Sequence, residues 1–91
     1  MKRINKNVLM TALKDTYLIL HMVPLKDLPE DRKVLVRAGT RFQVLLLQEQ
    51  EDPFKQEKPQ YWVQFPEMIN RQYRWYAQIG HWQVEELDRD T

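Results

Sequence analysis

The chain has 91 residues, no cysteine, and 14 Lys plus Arg against 13 Asp plus Glu, a net charge of +1. That length suits a single domain whose core folds without metal or disulfide staples, and the lack of cysteine excludes disulfides and thiolate metal sites and reads as a reducing, cytoplasmic setting. The balanced charge gives no general attraction to phosphate backbones, which leaves only a local basic patch for that role. Three Trp, four Tyr and three Phe beside two Gly exclude a disordered tail.

In chain order, Met1 to Lys6 is basic like the start of a signal peptide, but Lys14 and Asp15 interrupt the apolar stretch behind it and no cleavage site follows. The longest apolar run, Tyr17 to Val23, is too short to span a bilayer, so the expectation is a soluble protein with no membrane association. Apolar residues at Ile4, Val8, Leu9, Ala12 and Leu13 fall on one side of a helix, and the spacing predicts one over roughly Asn5 to Lys14, capped by Asn5 or Asn7. Thr16 to Val23 is β-branched and aromatic, stops at Pro24, and predicts a strand.

Pro24 to Lys33 carries two prolines and five charged residues before Lys33 and reads as an excursion between strands. Val34 to Arg37 predicts a short strand, Ala38-Gly39-Thr40 a turn, and Arg41 to Gln48 a strand apolar on both faces, which requires cover. The N-terminal helix is the expected cover. Glu49 to Gln60 reads as an exposed loop of about a dozen residues, long for a compact domain and therefore a candidate for function. Tyr61 to Phe65, Tyr73 to Ile79 and Trp82 to Glu85 complete the strands, with Gly80-His81 as a turn and 88–91 as a charged tail.

Five or six short strands at near-regular spacing predict a mainly β fold. Their order resembles an SH3 domain. Tyr17 to Val23 takes the place of its first strand, Lys26 to Val36 the RT loop, and Ala38-Gly39-Thr40-Arg41-Phe42-Gln43-Val44-Leu45 the diverging turn and second strand. Glu49 to Gln60 stands for the n-Src loop, Tyr61 to Phe65 for the third strand, and Met68 to Gln72 for the distal connection. The resemblance implies an SH3-like small β-barrel of about five strands at 16–87, to which the apolar spacing adds a helical segment at 1–15, all in one domain. Tyr17 and Trp62 match aromatic positions of the proline-peptide groove, but Gly80-His81-Trp82 lacks its Pro and Tyr, so that ligand is not implied. Lys33 to Phe42 also resembles a strand–turn–strand of toxin-type ADP-ribosyltransferases; Asp31 and Lys33 stand where that family needs paired glutamates, which rejects it.

Catalytic constellations are scarce. His21 and His81 are far apart, there is no Ser, no Gly-rich phosphate loop and no nucleophile elbow, and no activating base is recognisable near Thr11, Thr16, Thr40 or Thr91. Glu49, Glu51, Asp52 and Glu57 lie in a lysine-interleaved loop and read as solvated. The expectation is a non-enzymatic chain without cofactor, metal or small-molecule substrate.

The densest signal is Asn70 to Gln78. On a strand, Tyr73, Trp75 and Ala77 share one face and Arg74, Tyr76 and Gln78 the other. With the first set in the core, the second forms a basic and aromatic surface. Tyr, Trp and Arg are the usual hot-spot residues of protein interfaces. The expected function is therefore a protein-binding adaptor or regulatory subunit of a complex, with Trp62, Arg71, Arg74 and Tyr76 as contacts, joined by Phe54 and Lys55 from the long loop. The alternative is a small nucleic-acid-binding module using Arg71, Arg74, Tyr76 and Lys55 or Lys58 to stack bases and contact phosphate.

Overall fold

The computed structural model describes residues 4–52 and 57–87. Phe54, Lys55 and the tail 88–91 lie outside the described residues. The molecule is mainly β: seven strands form one antiparallel sheet in the order β3-β2-β6-β5-β4-β1-β7. They are β1 (Ile4–Ala12), β2 (Thr16–Ile19), β3 (Lys33–Val36), β4 (Arg41–Gln50), β5 (Gln60–Ile69), β6 (Gln72–Gln78) and β7 (Trp82–Glu86). The only helical elements among the described residues are two single 3-10 turns, Leu25–Asp27 and Glu30–Arg32, so no helix is long and apolar enough to cross a membrane.

The expected helix at the N-terminus is instead β1, paired with β4 on one side and β7 on the other. Val8, Met10 and Ala12 are all buried and lie two residues apart. The helical spacing had drawn on Val8, Leu9, Ala12 and Leu13, but Leu9 is only half-buried and Leu13 is exposed. Steps of four are also steps of two, and the burial of Met10 shows which period governs.

The expected closed barrel of about five strands is also replaced. β3 pairs only with β2 and β7 only with β1, so the seven-stranded ladder is open. It is nevertheless curled, as three short connections require. Residues 13–15 join β1 to β2, 37–40 join β3 to β4, and 79–81 join β6 to β7, each linking strands four places apart in the sheet. In a flat sheet those strands would be about 19 Å apart. A three-residue connection reaches about 14 Å and a four-residue one about 18 Å, so only a curled sheet can be joined this way.

The three connections meet. The Ala12 N–H donates to Thr40 C=O at 2.9 Å, the Gly39 N–H to Ala12 C=O at 2.7 Å, and the Leu13 N–H to His81 C=O at 2.9 Å. The Asp15 carboxylate accepts the Ala38 N–H at 2.8 Å and pairs with the Arg37 guanidinium at 3.2 Å. The chain's two glycines sit here, Gly39 at φ 88° and Gly80 at φ 99°. Each is third in a four-residue turn, closed by Thr40 N–H to Arg37 C=O and by His81 N–H to Gln78 C=O. A positive φ at that position favours a residue without Cβ.

The concave side of the sheet holds the core: Val8 and Met10 from β1, Leu18 from β2, Val44 and Leu47 from β4, Val63 and Phe65 from β5, and Trp75 from β6. The Trp75 indole N–H is shared between Ile69 C=O at 3.2 Å and Gln72 C=O at 3.1 Å, which ties the core to the β5–β6 turn. Phe42 packs edge-on against Phe65 with centroids 5.2 Å apart. β4 reads as apolar on both faces because its alternation slips once: Val44 and Leu47, three residues apart, are both buried, beside Asn7 of β1 at φ 54°. Leu45 is left exposed, and no helix covers it.

Pro66 lies within β5 rather than ending it, in the stretch between Gln64 and Ile69 where the pairing with β6 is irregular. An irregular stretch tolerates the missing N–H. Asn70 and Arg71, at φ 50° and 70°, then make a tight two-residue turn into β6.

Candidate functional site

The side of the sheet away from the core carries the site. Directly paired residues share a face, so register alone assembles rows across β4, β5 and β6. One row is Gln48, Trp62 and Tyr76, continued by Ile19 of β2; the next is Leu46, Gln64 and Arg74; a third is Gln50, Gln60 and Gln78. Trp62 alternates with the core residue Val63, and Tyr76 with Trp75 and Ala77, which turns both outward and leaves them half-buried.

The Arg74 guanidinium carbon lies 5.6 Å from the centre of the Trp62 ring. At an exposed site such a contact contributes about 0.5–1 kcal/mol, and the Trp62–Tyr76 cross-strand pair adds about 0.2–1 kcal/mol. Both are small beside the burial of Trp75 in the core. Gln64, Gln72, Tyr73 and Arg74 line a shallow groove beside this cluster.

Trp62, Arg74 and Tyr76 are thus together, and Arg71 stands apart. It occupies the β5–β6 turn and faces a different groove, with Leu20, Asp31 and Arg32. There the Asn70 amide donates to Asp31 C=O at 3.3 Å. Lys58 is exposed in the β4–β5 loop. Asp52 of that loop, expected in solvent, is buried, and its Oδ2 accepts the Glu57 N–H at 2.9 Å.

Gln78 was expected on this face, whereas Gln48, Gln50, Gln60, Gln64 and Ile19 were not singled out by sequence reasoning. For two of them the signal was present: Gln60 and Gln64 fall at even positions of the strand that carries Trp62, whereas Gln48 and Gln50 join only through the β4–β5 register.

The fold also gives Thr16 a histidine neighbour that the sequence does not reveal. Thr16 Oγ1 lies 2.8 Å from His81 Nδ1 at the meeting of the three connections. Thr16 is only 5 % exposed, and with His81 it lines the cavity bounded by β2, Gln60 and Gln78. Desolvation, then the Lys14 ammonium, lowers the His81 pKa from its ordinary value. The Ala38 N–H lowers that of Asp15, helped by the Arg37 guanidinium against some desolvation. Burial raises the Tyr61 phenol, with Glu49 opposite it adding to the shift. Among the described residues no three His, Asp or Glu side chains gather as metal ligands.

Comparison with known proteins gives no family model, no curated protein and no solved structure that matches this chain.

Proposed function

We propose that the chain is a non-catalytic binding module, a subunit or adaptor, that holds another protein on the outer face of β5 and β6. The observation that carries this reading is Trp62 and Tyr76 paired across the two strands on the side away from the core, with Arg74 over the indole. Two half-buried aromatic rings and a guanidinium supply the contact area and directional bonding typical of interface hot spots, while contributing little to the stability of the fold. A protein fits better than a nucleic acid because, of Arg71 and Arg74, only Arg74 stands at the aromatic pair. A track of cations along a backbone is what nucleic-acid binding requires.

The test is capture of partners by the tagged full-length chain, compared with Trp62→Ala and Tyr76→Ala. Both variants are expected to keep native circular dichroism and lose the captured protein. Retention of every partner by both folded variants refutes the proposed face. A gel shift with single-stranded RNA or DNA that weakens steeply with salt and vanishes in Arg74→Glu would replace the protein reading with the nucleic-acid one.

A further inference from the structure

A cavity of about 330 Å³ opens on the outer face one row away from the aromatic pair. Its volume falls within the range of small-ligand sites, about 300–1,000 Å³. Tyr17 and Ile19 of β2, Gln60 of β5 and Gln78 of β6 contribute to its lining, and Val23, Pro24 and Leu25 of the following arm form an apolar wall. Asp15, Glu57 and His81 also line it.

Two observations define what this cavity can take. Gln60 is only 9 % exposed, and its Oε1 is sealed from water without a hydrogen-bond donor. A buried carbonyl oxygen left unpaired is costly, and the broad terminal torsion of a glutamine lets its amide turn toward a donor placed in the cavity. The second observation is charge. Among the described residues no Lys or Arg lines the cavity, whereas two carboxylates do. Asp15 is engaged by Arg37 and the Ala38 N–H, so of the two carboxylates Glu57 is the one without an ion-pair partner among the described residues. Lys14 and Arg37 stand nearby but outside the lining. The imidazole of His81, with its lowered pKa, is neutral at pH 7 and adds no positive charge.

We infer that this cavity binds a primary alkylammonium group, its alkyl chain along Ile19, Val23 and Leu25 and its N–H donors directed to Gln60 Oε1 and the Glu57 carboxylate. An ammonium is donor-only and meets both the unpaired acceptor and the negative rim, whereas a carboxylate ligand meets neither. The same group can come from a free amine or from a lysine side chain of a partner protein.

The experiment is an NMR titration of the full-length protein at pH 7 with n-hexylamine, with hexanoate, and with Nα-acetyl-lysine N-methylamide. Hexylamine is expected to shift the Gln60 and Gln78 side-chain amides and the Ile19 and Val23 methyls, with hexanoate at least about tenfold weaker. Gln60→Leu is expected to weaken the amine at least about tenfold. Leu25→Ala, at a half-exposed position, is expected to weaken it less without disturbing the fold. Matching shifts from the lysine derivative assign the site to a protein side chain, and shifts from hexylamine alone assign it to a free amine. Equal binding of hexanoate, or no shift at these residues with either amine, overturns the inference. If Gln60→Leu does not fold, the hexanoate comparison and Leu25→Ala decide.

Discussion

Trp75 and Trp62 occupy adjacent strands one register step apart, Trp75 opposite Val63 and Trp62 opposite Tyr76. Trp75 is 1 % exposed, with its indole N–H bonded to two carbonyls under the β5–β6 turn. Trp62 lies half-buried beneath a guanidinium on the other side of the sheet. The residue type is the same, so the difference comes from the parity of position within a pleated strand. One face of the sheet carries the core, and the other carries Trp62, Arg74 and Tyr76.

Substitutions on the two faces should therefore differ in what they cost. Trp75→Ala removes a buried aromatic and is expected to cost about 3–5 kcal/mol, read as a large drop in denaturant midpoint or as failure to fold. Gly39→Ala places a Cβ at φ 88° where three connections meet, and is expected to cost about 1–2 kcal/mol by the same measurement. Nothing lies within 4 Å of the added Cβ, so backbone conformation alone sets that cost. Trp62→Ala should cost about 1 kcal/mol in stability while abolishing partner capture. Arg71→Gly is expected to raise stability by a little under about 1 kcal/mol, because it relieves a positive φ in the two-residue turn.

The smallest effect concerns pH. His81 has a lowered pKa in the folded state, so the unfolded chain binds the proton more readily. Its contribution is fully present above the ordinary histidine pKa near 6.5 and is lost as pH falls below that value toward the folded pKa. The unfolding midpoint should therefore decline as pH falls below about 6.5, and His81→Gln should flatten that decline.

Much of the strand pattern was legible from alternation. Trp82 to Glu85 and Tyr73 to Ile79 lie close to the observed β7 and β6, and Arg41 to Gln48 falls within β4. The N-terminal strand was misread because Val8 and Ala12 satisfy a helical period as well as a strand period, and only pairing with both β4 and β7 separates the two. The open, curled sheet was not legible at all. It depends on Leu13 to Asp15, Arg37 to Thr40 and Ile79 to His81 meeting in space, and hydrogen bonds between distant turns leave no periodic trace. The same limit explains the Thr16–His81 contact, whose partners are 65 positions apart.

The outward cluster was partly legible. The parity of Arg74 and Tyr76 follows from their own strand, but their meeting with Trp62 depends on the register that the Asn70-Arg71 turn imposes between β5 and β6. Arg71 joined the expected site because it is near Arg74 in sequence; the turn sends it to another groove. The cavity at Gln60 had no sequence signature, since it forms where the arm at Val23 to Leu25 comes to lie beside β2, β5 and β6.

Whether Trp62 serves binding while Trp75 serves the fold is decided by parallel measurement of thermal midpoint and partner capture on Trp62→Ala. The expected result is a midpoint lowered by no more than about 8 °C together with loss of the captured protein. Full capture by a folded Trp62→Ala variant, or a loss of stability as large as that of Trp75→Ala, would contradict it.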